Sequence, residues 1–170
     1  YKPGTVPVVS MGIGTLEVHP IDMISAYGAI ANGGMLKPRT TIVRVTDTGG
    51  RVVWPEPGAK PVKGRQVVSP QTAYILTDIL AGNTVVKTNP FWGKWAVYDG
   101  SARRPAAYKT GTTNDNRDVH AYGFIAPPAD PAAPALAVGV WMGNSDNSPD
   151  TDTLSLNSSA PLWSRIIADV

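Results

Sequence analysis

The sequence predicts an α+β fold, in which an antiparallel sheet fills the C-terminal half and helices lie around it. Three observations lead there. The runs 106–112, 119–126 and 135–142 are apolar or β-rich, and the segments between them, 114–118 and 127–134, hold the turn-formers Asn, Asp and Pro. Short turns between consecutive strands make neighbours antiparallel. The segment 69–81 carries every mark of an amphipathic helix: Ser69 as cap, Pro70 at the first position, and Ala73, Leu76, Ile79 and Leu80 recurring on one side. A second helix is predicted over 20–31 and a third over 160–170.

In chain order, residues 1–14 are rich in Pro, Gly and Val and predict irregular structure. The helix 20–31 opens on Pro20, carries Asp22 at its positive end, and stops at Gly33-Gly34. Its expected buried face is Ile24, Tyr27, Gly28 and Ala31, and His19 is a poorer cap than Ser or Thr. A hairpin follows, 40–45 against 51–54, turning through Asp47-Thr48-Gly49-Gly50. Residues 55–64 form a Pro/Gly/Lys connector. The long stretch 83–107 holds Phe91, Trp92 and Trp95, which are expected to cover part of the core rather than to form a functional loop. The closing helix has Pro161 in its first turn and offers Leu162, Trp163 and Ile166 to the sheet.

The bulk numbers bound the function. A chain of 170 residues with 42% hydrophobic and 16% charged residues can form one domain with a sizeable core. A net charge of +2, without a basic stripe, does not point to nucleic acid. With no cysteine, the chain has neither a disulfide scaffold nor a thiolate metal site. No apolar run reaches the roughly 20 residues of a membrane helix, and no signal peptide is visible. The chain begins at Tyr1 and reads as an internal or C-terminal piece of a longer protein.

The chemistry concentrates in Tyr108-Lys109-Thr110-Gly111-Thr112-Thr113, which leads into the polar turn Asn114-Asp115-Asn116-Arg117-Asp118. Along a strand, side chains alternate, so Lys109 and Gly111 share one face while Thr110 and Thr112 share the other. All four can serve one ligand only if the strand lies at the sheet's edge, where an extended ligand backbone can add as a further strand. Gly111 then removes the side chain that would block close approach. Lys109 supplies positive charge, Thr110 and Thr112 supply hydroxyls, and the Thr112 amide is free to donate. The strand of Lys109 is therefore expected to be the outermost of the three.

Lys-Thr-Gly-Thr resembles the last of three motifs in the serine acyl-transferases that react with penicillin. The string through Asp118 resembles class A penicillin-binding proteins. So do Gly139-Val140-Trp141-Met142-Gly143-Asn144, the stretch from Gly14-Thr15-Leu16-Glu17 through Ala31-Asn32-Gly33-Gly34, and Ser69-Pro70-Gln71-Thr72-Ala73-Tyr74. The resemblance covers nearly the whole chain and keeps its order. It implies the serine β-lactamase/DD-peptidase-like fold, an antiparallel sheet flanked by helices, with residues 1–170 forming only the C-terminal part of a transpeptidase domain. It implies cross-linking of peptidoglycan stem peptides ending in D-Ala-D-Ala, and acylation by β-lactam antibiotics. It implies catalytic roles for Lys109 and Thr112, and substrate binding by Lys109, Thr110, Gly111 and Thr112. The two threonine hydroxyls would hold the substrate carboxylate, and the Thr112 amide would complete the oxyanion hole. No cofactor and no metal are implied. The implied partners are the stem peptide, β-lactams and the N-terminal remainder of the domain, in the same or a separate chain. The implied location is the outer face of the bacterial cytoplasmic membrane, anchored by a segment outside this chain.

The family's Ser-x-x-Lys nucleophile motif is absent, since no serine here has a lysine three residues on. Ser145-Asp146-Asn147 and Ser155-Leu156-Asn157 resemble its Ser-x-Asn motif, but both follow Lys109 and read as surface turns. His19 and His120 lack any accompanying ligand pattern and are expected to be structural or surface residues. Asp115 and Asp118 read as a solvated turn rather than as paired catalytic carboxylates. A sensing module that captures β-lactam without turnover would show the same motif wall. A hydrolytic β-lactamase fits the flanks less well.

Overall fold

The computed structural model describes residues 6, 8–60, 62–125, 135–150 and 152–169. The α-helices and β-strands are α1 (Pro20–Ala31), β1 (Met35–Leu36), β2 (Val45–Thr46), β3 (Val52–Trp54), β4 (Arg65–Gln66), α2 (Pro70–Gly82), β5 (Val97–Asp99), β6 (Ala102–Arg104), β7 (Ala106–Thr112), β8 (Asp118–Ile125), β9 (Ala137–Gly143) and α3 (Ser159–Ala168), with short 3-10 helices at Val9–Ile13, Gly93–Trp95 and Asn114–Asn116, the first within the stretch expected to be irregular. The main sheet is an antiparallel meander in the order β7-β8-β9. Its register runs without a slip from Ala106 opposite Ile125 to Thr112 opposite Val119. β9 pairs in the same way, from Asp118 opposite Gly143 to Phe124 opposite Ala137. The expected turn at 127–134 lies outside the described residues.

Alternation sends the two halves of each strand to different layers. Tyr108, Thr110, Ala121, Gly123, Val138 and Val140 share one face through this register. Helix α3 covers that face. Its Trp163 is fully buried and stacks on Tyr108, the ring centroids 4.7 Å apart. Gly123 makes the contact possible: a Cβ there would meet Trp163 Cζ2 at 2.6 Å and Tyr108 Cβ at 2.5 Å. Ile167, Ala160, Val97 and Ile125 complete this core. Tyr122 stands on the opposite face, 5.8 Å from the Tyr27 ring of α1. The sheet is thus sandwiched between α1 and α3, and α2 lies against β7 and α1.

The helices begin as expected. Ser69 caps α2 by accepting a hydrogen bond from the Thr72 amide at 3.1 Å. His19 at the start of α1 makes no side-chain capping bond. The burial of both helices differs from expectation. On α1 only Ala29 is buried, and Ile24, Tyr27, Gly28 and Ala31 are half-covered. On α2, Ala73 is buried but Ile79 is 62% exposed, because only the side of α2 toward β7 and α1 meets the rest of the chain. The hairpin is shorter than its apolar pattern, pairing only β2 with β3. Two small pairs, β1 with β4 and β5 with β6, carry no clear alternation in the sequence.

Candidate active-site wall

Strand β7 has no strand on its outer side among the described residues. Its backbone groups there are nevertheless not all free. The carbonyl of Ala106 accepts from Thr84 Oγ1 at 3.1 Å, and that of Tyr108 accepts from Asn83 Nδ2 at 2.8 Å. Thr110 O accepts from Lys109 Nζ at 2.7 Å. The even-numbered residues of β7 therefore turn their backbone groups outward, while the odd ones face β8. By the same alternation the Thr112 N–H points outward. Side chains following α2 close the edge as far as Tyr108, leaving 110–112 as the stretch where an extended ligand can add.

The segment 83–95 provides more than that closure. Trp92 and Trp95 pack against the core, as the sequence suggests, whereas Phe91 is 67% exposed. Trp92 also reaches the motif. Its Nε1 donates to Thr110 Oγ1 at 2.8 Å, its carbonyl accepts from the Tyr108 hydroxyl at 2.8 Å, and Lys109 Nζ sits 5.4 Å from its ring. That last distance suits a cation–π contact. Burial lowers the Lys109 pKa from its usual value.

The two threonines differ. Thr110 is only 5% exposed, with its hydroxyl held by Trp92. Thr112 is exposed, and its hydroxyl donates to Ser155 Oγ at 3.1 Å. Ser155 is therefore no surface turn: it is 6% exposed and stands just ahead of α3, where its carbonyl accepts from the Ala160 amide. The Asn that follows Ser145-Asp146, by contrast, is exposed and adopts a positive φ, as a turn residue does. Asp115 and Asn116 also take positive φ in the turn between β7 and β8. That turn is latched by Thr113, whose hydroxyl accepts from the Asp118 amide at 2.8 Å.

Gly111 is required for a reason the sequence does not display. A Cβ at this position would lie 2.0 Å from His120 Nε2 and 2.3 Å from Cε1. The His120 ring, opposite Gly111 in the register, fills the space a side chain would need. His120 is half-buried, 5.4 Å from the Tyr122 ring and on the same face as Lys109. Desolvation lowers its pKa, the nearby Lys109 charge lowers it further, and Asp118 opposes both. It belongs to the site's framework. A lone histidine in a strand carries no sequence signal of this, except through the pairing of 111 with 120 once the hairpin register is set. His19 lies at the start of α1, outside this group.

Lys109, Thr110, Gly111 and Thr112 thus stand together at one open edge, supported by Trp92, Ser155 and His120. The family model for the penicillin binding protein transpeptidase domain matches residues 6–155. Penicillin-binding protein 2D of Bacillus subtilis (strain 168) is 29% identical over 161 residues, covering 94% of this chain and 21% of that protein. Penicillin-binding protein 1A of Neisseria lactamica is 35% identical over 126 residues, covering 73% of this chain and 15% of that protein. The chain therefore spans about a fifth or less of the length of these relatives. Among solved structures, the PonA1 protein of Mycobacterium tuberculosis in complex with penicillin V superposes with a TM-score of 0.72 at 20% identity, over 98% of this chain and 42% of that one. The imipenem acyl-enzyme complex of penicillin-binding protein A from M. tuberculosis gives 0.64 at 23% identity, over 93% and 32%.

Proposed function

The chain belongs to the transpeptidase family of penicillin-binding proteins, its curated relatives lying in class A, and from that premise we propose that it is the C-terminal part of a D,D-transpeptidase domain. It supplies one wall of the acyl-transfer site. The observation that carries this reading is the short open stretch of β7 at 110–112, with an ammonium, two hydroxyls and an outward amide gathered on it.

The chemistry follows from what acyl transfer through serine requires: a nucleophile, a base, donors for the oxyanion and a grip on the substrate. The 170 residues contain no Ser-x-x-Lys, so the nucleophile comes from elsewhere in the protein. The peptide or β-lactam lies along 110–112 as an added strand. Lys109 and the hydroxyls of Thr110 and Thr112 hold its carboxylate. The Thr112 amide, with the nucleophile's own amide, receives the oxygen of the attacked carbonyl as negative charge develops there. The substrate is a stem peptide ending in D-Ala-D-Ala, the inhibitors are β-lactams, and the work is done at the outer face of the cytoplasmic membrane. Among the described residues no helix is long and apolar enough to cross a membrane, and the proposal places the anchor in a segment outside this chain.

The test compares the full-length protein with the 170-residue piece. The full-length protein should form a covalent adduct with a fluorescent penicillin and should turn over a D-Ala-D-Ala stem peptide. The piece alone should form no adduct. Lys109→Ala in the full-length protein should slow acylation about ten- to a hundredfold, the worth of a charge-assisted hydrogen bond. An adduct on the isolated piece would overturn the placement of the nucleophile. Acylation of the full-length protein without peptide turnover would favour a β-lactam sensor.

A further inference from the structure

We propose that Trp92 is a positioning residue of this site, acting through the Thr110 hydroxyl and the Lys109 ammonium. The inference rests on the reading of 110–112 as the substrate platform and assigns a role to a residue outside the motif. Tryptophan Nε1–H can only donate, and threonine Oγ has one proton and two lone pairs. The 2.8 Å bond from Trp92 therefore fixes Thr110 Oγ1 as an acceptor. Its own proton has no acceptor among the described residues, so it is free to turn toward a ligand that reaches this 5% exposed residue from the open edge. A hydroxyl that already accepts a hydrogen bond is polarised into a better donor. Thr112 differs, since its proton goes to Ser155 Oγ until a ligand carboxylate draws it away. Of the two hydroxyls, Thr110 is the one preset to donate to a carboxylate.

The same indole seats the lysine. Lys109 Nζ lies 5.4 Å from the ring centroid and bonds Thr110 O on the open edge. Without the ring the flexible lysine stem would lose one of the two contacts that place its charge there. Trp92 is itself held from behind. Its amide donates to Asn89 Oδ1 at 3.4 Å and its carbonyl accepts from the Tyr108 hydroxyl at 2.8 Å. Asn89 Nδ2 donates to Asn83 Oδ1 at 3.1 Å, and Asn83 in turn holds the Tyr108 carbonyl. The indole is thus coupled at two points to the strand whose residues it orients.

The experiment uses the full-length protein and measures second-order acylation by a fluorescent penicillin, which carries a free carboxylate. Trp92→Phe keeps an aromatic ring near Lys109 and removes the N–H donor together with the second ring of the indole. It should slow acylation about three- to tenfold, the range of one hydrogen bond. In a Thr110→Ala background the same substitution should change the rate less than twofold, because the hydroxyl it orients is gone. A purely structural role would cost the same factor in both backgrounds, and that result overturns the proposal. So does a Trp92→Phe variant that reacts like the parent. If Thr110→Ala alone leaves the rate unchanged, the carboxylate-holding role of Thr110 fails first and the inference falls with it. Thermal melts of all variants separate misfolding from misplacement.

Discussion

Gly111→Ala adds one carbon, and the structure says where it goes. Its position is 2.0 Å from His120 Nε2. Ordinary contact begins near 3.4 Å, so the ring must retreat by about 1.4 Å. The ring is bounded by Tyr122, 5.4 Å away, and by Lys109 on the same face. Forcing an extra group into such a packed place costs about 1–3 kcal/mol. Removing the ring should remove the cost. In a His120→Ala background, Gly111→Ala should be nearly neutral, giving a coupling of about 1–3 kcal/mol between the two sites. Chemical denaturation of the four full-length proteins measures this. A loss below about 0.5 kcal/mol for Gly111→Ala, or an equal loss in both backgrounds, would refute the packing argument. Acylation rates separate a second cause. If the glycine also leaves room for substrate, the double variant will be stable yet slow. If His120 alone dictates it, stability and rate will recover together.

Gly111→Val should slow acylation more than Thr110→Ala does: loss of an oxyanion donor costs about 2.7–4 kcal/mol, against about 1.5–3 for one charge-assisted hydrogen bond; second-order acylation rates decide. The folded-state pKa of His120 is depressed, so between that pKa and the unfolded value near 6.5 the unfolded chain binds the proton more readily. Stability should accordingly fall as pH drops below about 6.5 and level off below the folded pKa, and His120→Gln should flatten that part of a denaturation-versus-pH series. Ser69→Ala should cost about 0.5–2 kcal/mol in denaturation, through loss of the α2 cap. Trp163→Ala should cost about 3–5 kcal/mol, since its ring is fully buried against Tyr108; a loss under 1 kcal/mol would mean that the face under α3 is not a close-packed core.

The fold was legible where local chemistry and period agreed. The strand 106–112 was read to the residue, because its apolar start and polar end bracket the motif and its turn is built of Asn and Asp. Helix α1 was equally plain from Pro20 and the glycine pair after it. Ile79 was misjudged because the period of a helix identifies an apolar side but not what lies against it. The pairs β1–β4 and β5–β6 are only two or three residues long, too short to show alternation. The open edge that carries the motif residues was readable from strand geometry. Their supports were not. Trp92 reaches Thr110 from 18 positions away in the chain and Ser155 reaches Thr112 from 43, distances over which no sequence period speaks. His120 looked idle because its importance lies in the volume it occupies next to Gly111.

The bonds that Thr84 and Asn83 make to β7 carry a consequence beyond ligand placement. An exposed strand edge is a template on which another molecule's strand can grow, and long open edges lead to fibrous association. A site that recruits an extended peptide must keep such an edge, and so carries that hazard permanently. Here two polar side chains consume the carbonyls of the first half of the strand and leave about three residues available. At roughly 3.3 Å per residue, that length suits the tail of a short peptide. On this edge a second copy of the chain finds too few rungs to build a ladder, so β7 can hold out an edge to an extended ligand without seeding strand-on-strand association there.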